Sequence, residues 1–254
     1  MKSFVAFLKK EFMESIRSYK AFILLIVFLI LGFMSPITAK LTPELIKQFM
    51  PQGMDISVAT PTVFDSWSQF FKNVPQIGLI VIVIMMSSLI THEISKGTLI
   101  NILTKGLSRK NVILAKMTYA SLIWTICYYV SFLVVYFYNQ LFWENTNVSY
   151  LFFSVSCVWL FGILLISLVI LGGVLFKNSY GSLLLAGGSV MIMMFINMLQ
   201  TIAKYNPIQL IAVNMALLNQ TMVPSDLFIS IMITISLTIF FLTTSIIIFN
   251  RKQV

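Results

Sequence analysis

Charge is what this sequence has least of. Seventeen basic and eight acidic residues make up 10% of its 254 positions, where soluble globular domains carry about 25%. A water-soluble fold of this size could not cover its surface with so few. Histidine occurs once, as His92. His92-Glu93 therefore cannot extend into a His-Glu-x-x-His zinc motif, since position 96 is Lys, and a serine nucleophile would lack a positioned base. A Gly-x-x-x-x-Gly-Lys-Ser/Thr phosphate loop is missing, so the chain has no ATP site of that kind. These absences point away from an enzyme and away from a resident cofactor or metal. The two cysteines, Cys127 and Cys157, both fall in apolar runs, which gives no sign of an extracellular disulfide framework. No low-complexity tract, internal repeat or soluble domain stands out.

Apolar residues fill the space that charge leaves. They make up 59% of the chain, with 14% aromatic and a mean hydropathy of +0.95. That excludes a disordered chain. The formal charge of +9 is no nucleic-acid signature, because the cations sit between long neutral runs. Those runs extend from Ala21 to Ala39, Asn73 to Thr91, Met117 to Trp143, Asn145 to Phe176, Asn178 to Ala203, Tyr205 to Ser225 and Leu227 to Asn250. A helix needs about 20 predominantly apolar residues to cross a hydrocarbon core. Six of the seven runs qualify. The exception, within 204–226, carries Asn206, Pro207, Gln209, Asn214, Asn219, Gln220 and Pro224, and each unpartnered amide in lipid costs roughly 2–7 kcal/mol. It reads as a re-entrant or surface-lying helical hairpin on the outer side, with a seventh span as the alternative. The expected fold is an all-α polytopic membrane protein forming one permease domain over 1–254.

The basic residues set the orientation. With six spans and the N-terminus inside, the inner segments hold Lys2, Lys9, Lys10, Arg17, Lys20, Lys96, Lys105, Arg109, Lys110, Lys116, Lys177, Arg251 and Lys252. The outer segments hold Lys40, Lys47, Lys72 and Lys204. Positive charge concentrates on the cytoplasmic side, so both termini are expected there, in a plasma membrane of bacterial type. The charged lead before the first span is long for a signal-peptide n-region.

Two inner segments carry pattern beyond mere anchoring. In 1–20, Phe4, Phe7, Leu8, Phe12 and Ile16 recur at helical spacing, with Lys2, Lys9, Lys10 and Arg17 opposite. This predicts an amphipathic helix in the inner interface, its cations near anionic lipid headgroups. Glu11 falls within the apolar stripe, and an acid there needs a basic partner from elsewhere in the protein. The loop 92–116 is too long for a tight turn and too apolar for disorder. Leu99, Ile102, Leu103 and Leu107 suggest a short amphipathic helix closed by Gly106, and Ser108 can cap the helix that follows.

Here the sequence resembles a known family. The order Glu93-x-x-x-Gly97-Thr98-Leu99, then Leu103-Thr104-x-x-x-Ser108-Arg109, then Lys116, is similar to the coupling region of permease subunits of ABC-2-type (type V) exporters. The resemblance covers about 25 residues in motif and nearly the whole chain in architecture. One departure is Gly106-Leu107, where members usually carry a proline ahead of the Ser-Arg pair. Asn206-Pro207 fits the family's outer hairpin, since proline opens a half-helix readily.

The resemblance implies a mechanism. A second copy or a paralogue completes the pathway, and two separate ATPase subunits, which bind ATP and Mg, dock beneath. The loop would sit in an ATPase cleft, with the N-terminal helix bracing it. Glu93 and Arg109 would make the electrostatic contacts and Leu99, Leu103 and Leu107 the apolar ones, with Gly97, Thr98, Ser108 and Lys116 completing the segment.

Ion-coupled transport is the rival reading. It usually needs intramembrane acids or bases, and the centres of the six spans have none; sodium sites built from carbonyls and hydroxyls stay open. Met191, Met194 and Met198 form a thioether stripe on the fifth span. Such ligands could pass copper(I), though methionine also fills irregular packing. Gly172-Gly173 and Gly187-Gly188 permit close helix approach. The second and fifth spans are the expected pathway helices, with Met191, Met194, Asn197, Met198 and Gln200 on the fifth. An uncharged lining of that kind suits amphipathic or hydrophobic cargo, of which a membrane-active peptide, toxin or antimicrobial ranks first.

Overall fold

The structure, a computed structural model, describes residues 2–49, 60–95, 97, 108–144 and 146–251. Every regular element among them is helical. Six helices among the described residues are long and apolar enough to cross a membrane: Lys20–Glu44, Val63–Glu93, Arg109–Phe142, Leu151–Phe176, Ser179–Asn197 and Pro224–Arg251.

The first helix, α1 (Lys2–Arg17), precedes the spans. Tyr19 then takes a left-handed conformation (φ 58°) and redirects the chain into α2 (Lys20–Phe49), the first span. α3 (Val63–Asn73) runs through a π-helical turn at Val74–Gly78 into α4 (Leu79–Ser95). Pro75 lies in that turn, where a missing N–H disturbs the helical ladder. The sequence places the start of the second span at Asn73, but the structure starts it at Val63. Lys72 is no boundary: it points outward, while Trp67, Phe70 and Phe71 on the same helix are buried. The helix begins where the Asp65 carboxylate accepts the backbone N–H of Thr62 at 2.7 Å.

α5 (Arg109–Phe142) and α6 (Leu151–Phe176) are the third and fourth spans. α6 is the axis of the bundle, packed by α4, α5, α7 (Ser179–Asn197) and α11 (Phe228–Arg251). Its central window is 78% buried, against 11% for the last span. Without a hydrophobic force between helices in lipid, such packing relies on close approach and interhelical hydrogen bonds. Both occur between α5 and α6. A Cβ on Gly162 would lie 2.4 Å from the Trp124 ring, so only glycine admits the indole there. Trp124 Nε1 donates to the Trp159 carbonyl at 2.9 Å, and Tyr128 Oη to the Val155 carbonyl at 2.9 Å. Gly172 does the same for α6 against α7, where its Cβ would fall 2.7 Å from the Ser182 Cα. A Cβ on Gly187 or Gly188, by contrast, would meet nothing within 4 Å among the described residues.

Between α7 and α11 the backbone breaks into short pieces: α8 (Gln200–Ala203), α9 (Gln209–Ala212), α10 (Asn214–Leu218) and a 3-10 turn at Pro224–Leu227. None of these is long enough to cross a membrane, so six is the span count among the described residues. α9 and α10 pack on α6, and α10 also touches α3. Leu210, Leu217 and Leu218 are buried there. Several of the amides that made a straight span costly donate to partners, although Asn214 Oδ1 is buried without one among the described residues. Asn206 Nδ2 donates to the Met193 carbonyl (2.5 Å), Gln209 Nε2 to Asn197 Oδ1 (2.8 Å) and Asn214 Nδ2 to the Leu210 carbonyl (3.2 Å).

Candidate functional site

The N-terminal end of the bundle gathers three of the chain's eight acidic residues. α1 lies against α5 and α2, and its inward stripe reads Phe7, Glu11, Ser15, each about 95% buried. Phe4, Leu8 and Phe12 pack beside it. Ile16, expected on that stripe, is instead 65% exposed. A helix advances about 100° per residue, so a stripe centred on Phe7, Glu11 and Ser15 leaves position 16 on the flank.

Glu11 finds its base 105 residues away. Lys116, 1% exposed in the first turns of α5, places its ammonium 3.0 Å from Glu11 Oε1 and 2.8 Å from Glu93 Oε2. It also donates to the Leu89 carbonyl at 2.7 Å. Three oxygens thus surround the ammonium: Glu11 Oε1 and the Leu89 carbonyl accept hydrogen bonds, and Glu93 Oε2 forms an ion pair. Glu93 ends α4 and is 4% exposed. Lys10 pairs with the same Glu93, and with Glu11 at 3.2 Å and Glu14 at 2.9 Å. Both ammoniums also approach the Phe7 ring, Lys10 at 5.1 Å and Lys116 at 5.5 Å from its centre.

Burial works against the charge on Lys10, but the carboxylates of Glu93, Glu11 and Glu14 outweigh it and hold the amine above its ordinary value. Burial likewise pushes against ionisation of Glu14, and contact with Lys10 wins, drawing its carboxyl below the usual range. Carboxylate oxygens of Glu11, Glu14 and Glu93 lie within 4.8 Å of one another. The ammoniums of Lys10 and Lys116 bridge them, two cations among three carboxylates.

The segment expected to dock a partner joins α4 to α5. Gly97, just past α4, has a φ of 65°, the left-handed geometry that commonly stops a helix. Ser108 caps α5 as its sequence suggests, its Oγ accepting from the Asn111 N–H at 3.3 Å. Arg109 donates to the carbonyls of Phe249 (3.1 Å) and Asn250 (3.4 Å) at the end of the last helix. A cation belongs at that negative pole. Thr98, Leu99, Leu103 and Leu107 lie outside the described residues. Two sequence-predicted electrostatic contacts thus have intramolecular roles: Glu93 within the buried cluster, Arg109 on the last helix. Sequence reasoning missed Lys10 and Glu14 as members of the cluster; their i, i+4 spacing in α1 was the available signal.

Of the expected pathway residues, Met191 and Met194 line an open apolar cavity of about 490 Å³ between α4 and α7. Its floor is Phe161 and Leu165 of α6, and its polar side chain is Gln76, beside Pro75 in the π-helical turn. Asn197 is committed to Gln209. Met198 is 78% exposed and does not line the cavity. The Gln200 side chain lies outside the described residues.

Six spans, a charged end and an uncharged groove are what a transport subunit would show, and comparison with known proteins decides the class. The model of the family described as ABC-2 family transporter protein matches residues 5–254. The chain belongs to the ABC-2 transporter family. It is also similar to an uncharacterized transmembrane protein of Bacillus subtilis (strain 168), YxlG, with 23% identity over 180 residues, 70% of each chain. Membership makes it a multi-pass permease, a membrane transport component of the kind that works within ABC systems alongside ATPase subunits.

Proposed function

We propose that this permease is the transmembrane part of an ATP-driven exporter whose cargo is amphipathic or hydrophobic, with a membrane-active peptide as the first candidate. The supporting observation is the groove between the second and fifth spans. Its 490 Å³ are walled by aliphatic, thioether and aromatic side chains with Gln76 as the polar exception. Such a lining accepts a hydrophobic helix face or an acyl chain, and it would strand the charges of a polyanion without partners. The driving energy comes from outside the chain. Among the described residues the buried charges cluster at the α1 end and are paired to one another, not strung along the spans.

In this reading the α1 end faces the cytoplasm, where most of the basic residues then lie. Two ATPase subunits dock on the 92–116 segment, and a second copy or a paralogue completes the path. The 204–226 segment sits at the outer mouth as a re-entrant hairpin, closing the groove through the bond between Gln209 and Asn197.

Purification of the full chain from its native membrane in mild detergent tests the reading. The expected result is a nucleotide-hydrolysing subunit of separate sequence that accompanies it, with ATP hydrolysis stimulated by amphipathic helical peptides. Recovery of the chain without such a subunit would overturn it. Met191→Trp, which fills the groove, should abolish peptide stimulation while leaving basal hydrolysis in place.

A further inference from the structure

The expected coupling residues Glu93 and Lys116 are buried, so their task is internal to the chain. We infer that Lys116 is a positioning residue: it welds α1 to the end of α4 and the start of α5, so that these three ends move as one body. The inference deepens the exporter reading and rests on it for the use made of that body.

The geometry is specific. α1 is joined to the bundle by a turn at Tyr19 and seats apolar side chains (Phe4, Phe7, Leu8 and Phe12) around an inward stripe that also carries the charge of Glu11. Glu11 on α1 and Glu93 on α4 would repel each other if unbridged. Lys116 supplies a bridge from a third element, and it also donates to the Leu89 carbonyl of α4. Lys10 closes the ring from α1 back to Glu93. Each of the three elements is therefore tied to the other two by at least one charged contact; those of Lys116 are nearly sealed from water, where screening is weak, and that of Lys10 is partly exposed. A further tie joins the start of α2 to α4, with Lys20 Nζ donating to Ser88 Oγ at 3.1 Å.

The consequence concerns how a push is distributed. The segment 96–107 leaves α4 and enters α5, so a force on it could separate the two spans or move them together. With Lys116 between Glu93 and Glu11, separation would strand a buried carboxylate, whereas a joint displacement leaves every contact intact. Joint displacement, with α1 carried along, is the low-energy response. The second span then moves at this end as a unit with the third, and the groove wall that it provides is displaced without α4 detaching from α5.

The test is a distance measurement on the full chain in lipid nanodiscs, with spin labels at Met13→Cys on the exposed side of α1 and Leu122→Cys on the exposed side of α5, in a Cys127→Ala, Cys157→Ala background. The starting protein should give one narrow distance distribution. Lys116→Met should broaden it at least two-fold, and Lys116→Arg, which keeps the cation, should restore the narrow form. An unbroadened Lys116→Met distribution, or broadening that Lys116→Arg shares, overturns the weld. Should Lys116→Met fail to reach the membrane, Glu11→Gln takes its place with the same two outcomes. No partner is needed for this measurement. Failure to find an ATPase would therefore overturn the exporter reading alone, and an unbroadened distribution the weld alone.

Discussion

The two ends of the bundle solve the same problem with different chemistry. At the α1 end, five charged side chains from α1, α4 and α5 are locked together, with Glu11, Glu93 and Lys116 almost wholly buried. At the opposite end, the broken backbone around 198–227 is held by neutral amides. Asn206 donates to the Met193 carbonyl and accepts from the Ile208 N–H, and Gln220 Nε2 reaches Ser149 Oγ at 2.5 Å. Buried ion pairs are costly to form and costlier to break singly, so they define one arrangement strongly. Neutral amides can exchange partners at a lower cost. The difference separates an end fixed by buried charge from one held by exchangeable neutral bonds.

The largest expected effect comes from breaking the charged end. Lys116→Met leaves Glu11 and Glu93 in a buried site with only the partly exposed Lys10 as a shared cation, which costs roughly 3–5 kcal/mol. Thermal unfolding in detergent should show it, or the variant should fail to accumulate in membranes. The double variant Glu11→Met, Lys116→Met should lose less than the two single changes together, because it removes the stranded charge along with its partner.

At the opposite end, Asn206→Ala removes a 4%-exposed amide with two hydrogen bonds and should cost about 1–3 kcal/mol. Hydrogen exchange should rise locally at 206–212 and stay unchanged in α1. Equal losses for Lys116→Met and Asn206→Ala would erase the contrast between the ends.

Arg109→Gln comes next, with roughly 0.5–1 kcal/mol expected from loss of a cation at the last helix's C-terminus. It should be read as fraying at 247–251 by hydrogen exchange.

The smallest effect is that of pH. Glu14 is drawn below its ordinary value, so its contribution to α1 docking is present above the unfolded carboxyl value and is lost as pH falls through the lowered folded one. Lys10 is held above its ordinary value, so its contribution is present below the unfolded amine value and is lost as pH rises through the raised folded one. Docking of α1, followed by protease access to 2–17, should be flat between about pH 5 and 10 and weaken below about pH 4. Both side chains are partly exposed, which keeps the change small.

How far the sequence could be read differs between the same two ends. Span positions were legible because a charge-free run of about 20 residues has few alternatives in this composition. Ser108 was legible as a cap because capping depends on residues three positions apart. That Glu11 required a base was legible from its place in an apolar stripe. Which base was not, since nothing local links position 11 to position 116. The start of the second span was misplaced because Lys72 looks like a boundary in one dimension, yet points outward from a helix whose other face is aromatic and buried. Among the short helices, amide content revealed that a straight span was unfavourable. The partners, such as Met193 for Asn206, depend on folding the segment back onto α6 and α7, which no periodicity records.

Reconstitution in sealed vesicles tests the central claim, that this permease moves cargo only when an external motor acts on its α1 end. A fluorescent amphipathic helical peptide is followed across the membrane with the permease alone, and with the permease plus its ATPase and ATP. The account expects no movement above empty vesicles in the first case and ATP-dependent movement in the second, lost with Lys116→Met and kept with Lys116→Arg. Peptide movement at the same rate by the permease alone, without nucleotide, would contradict it.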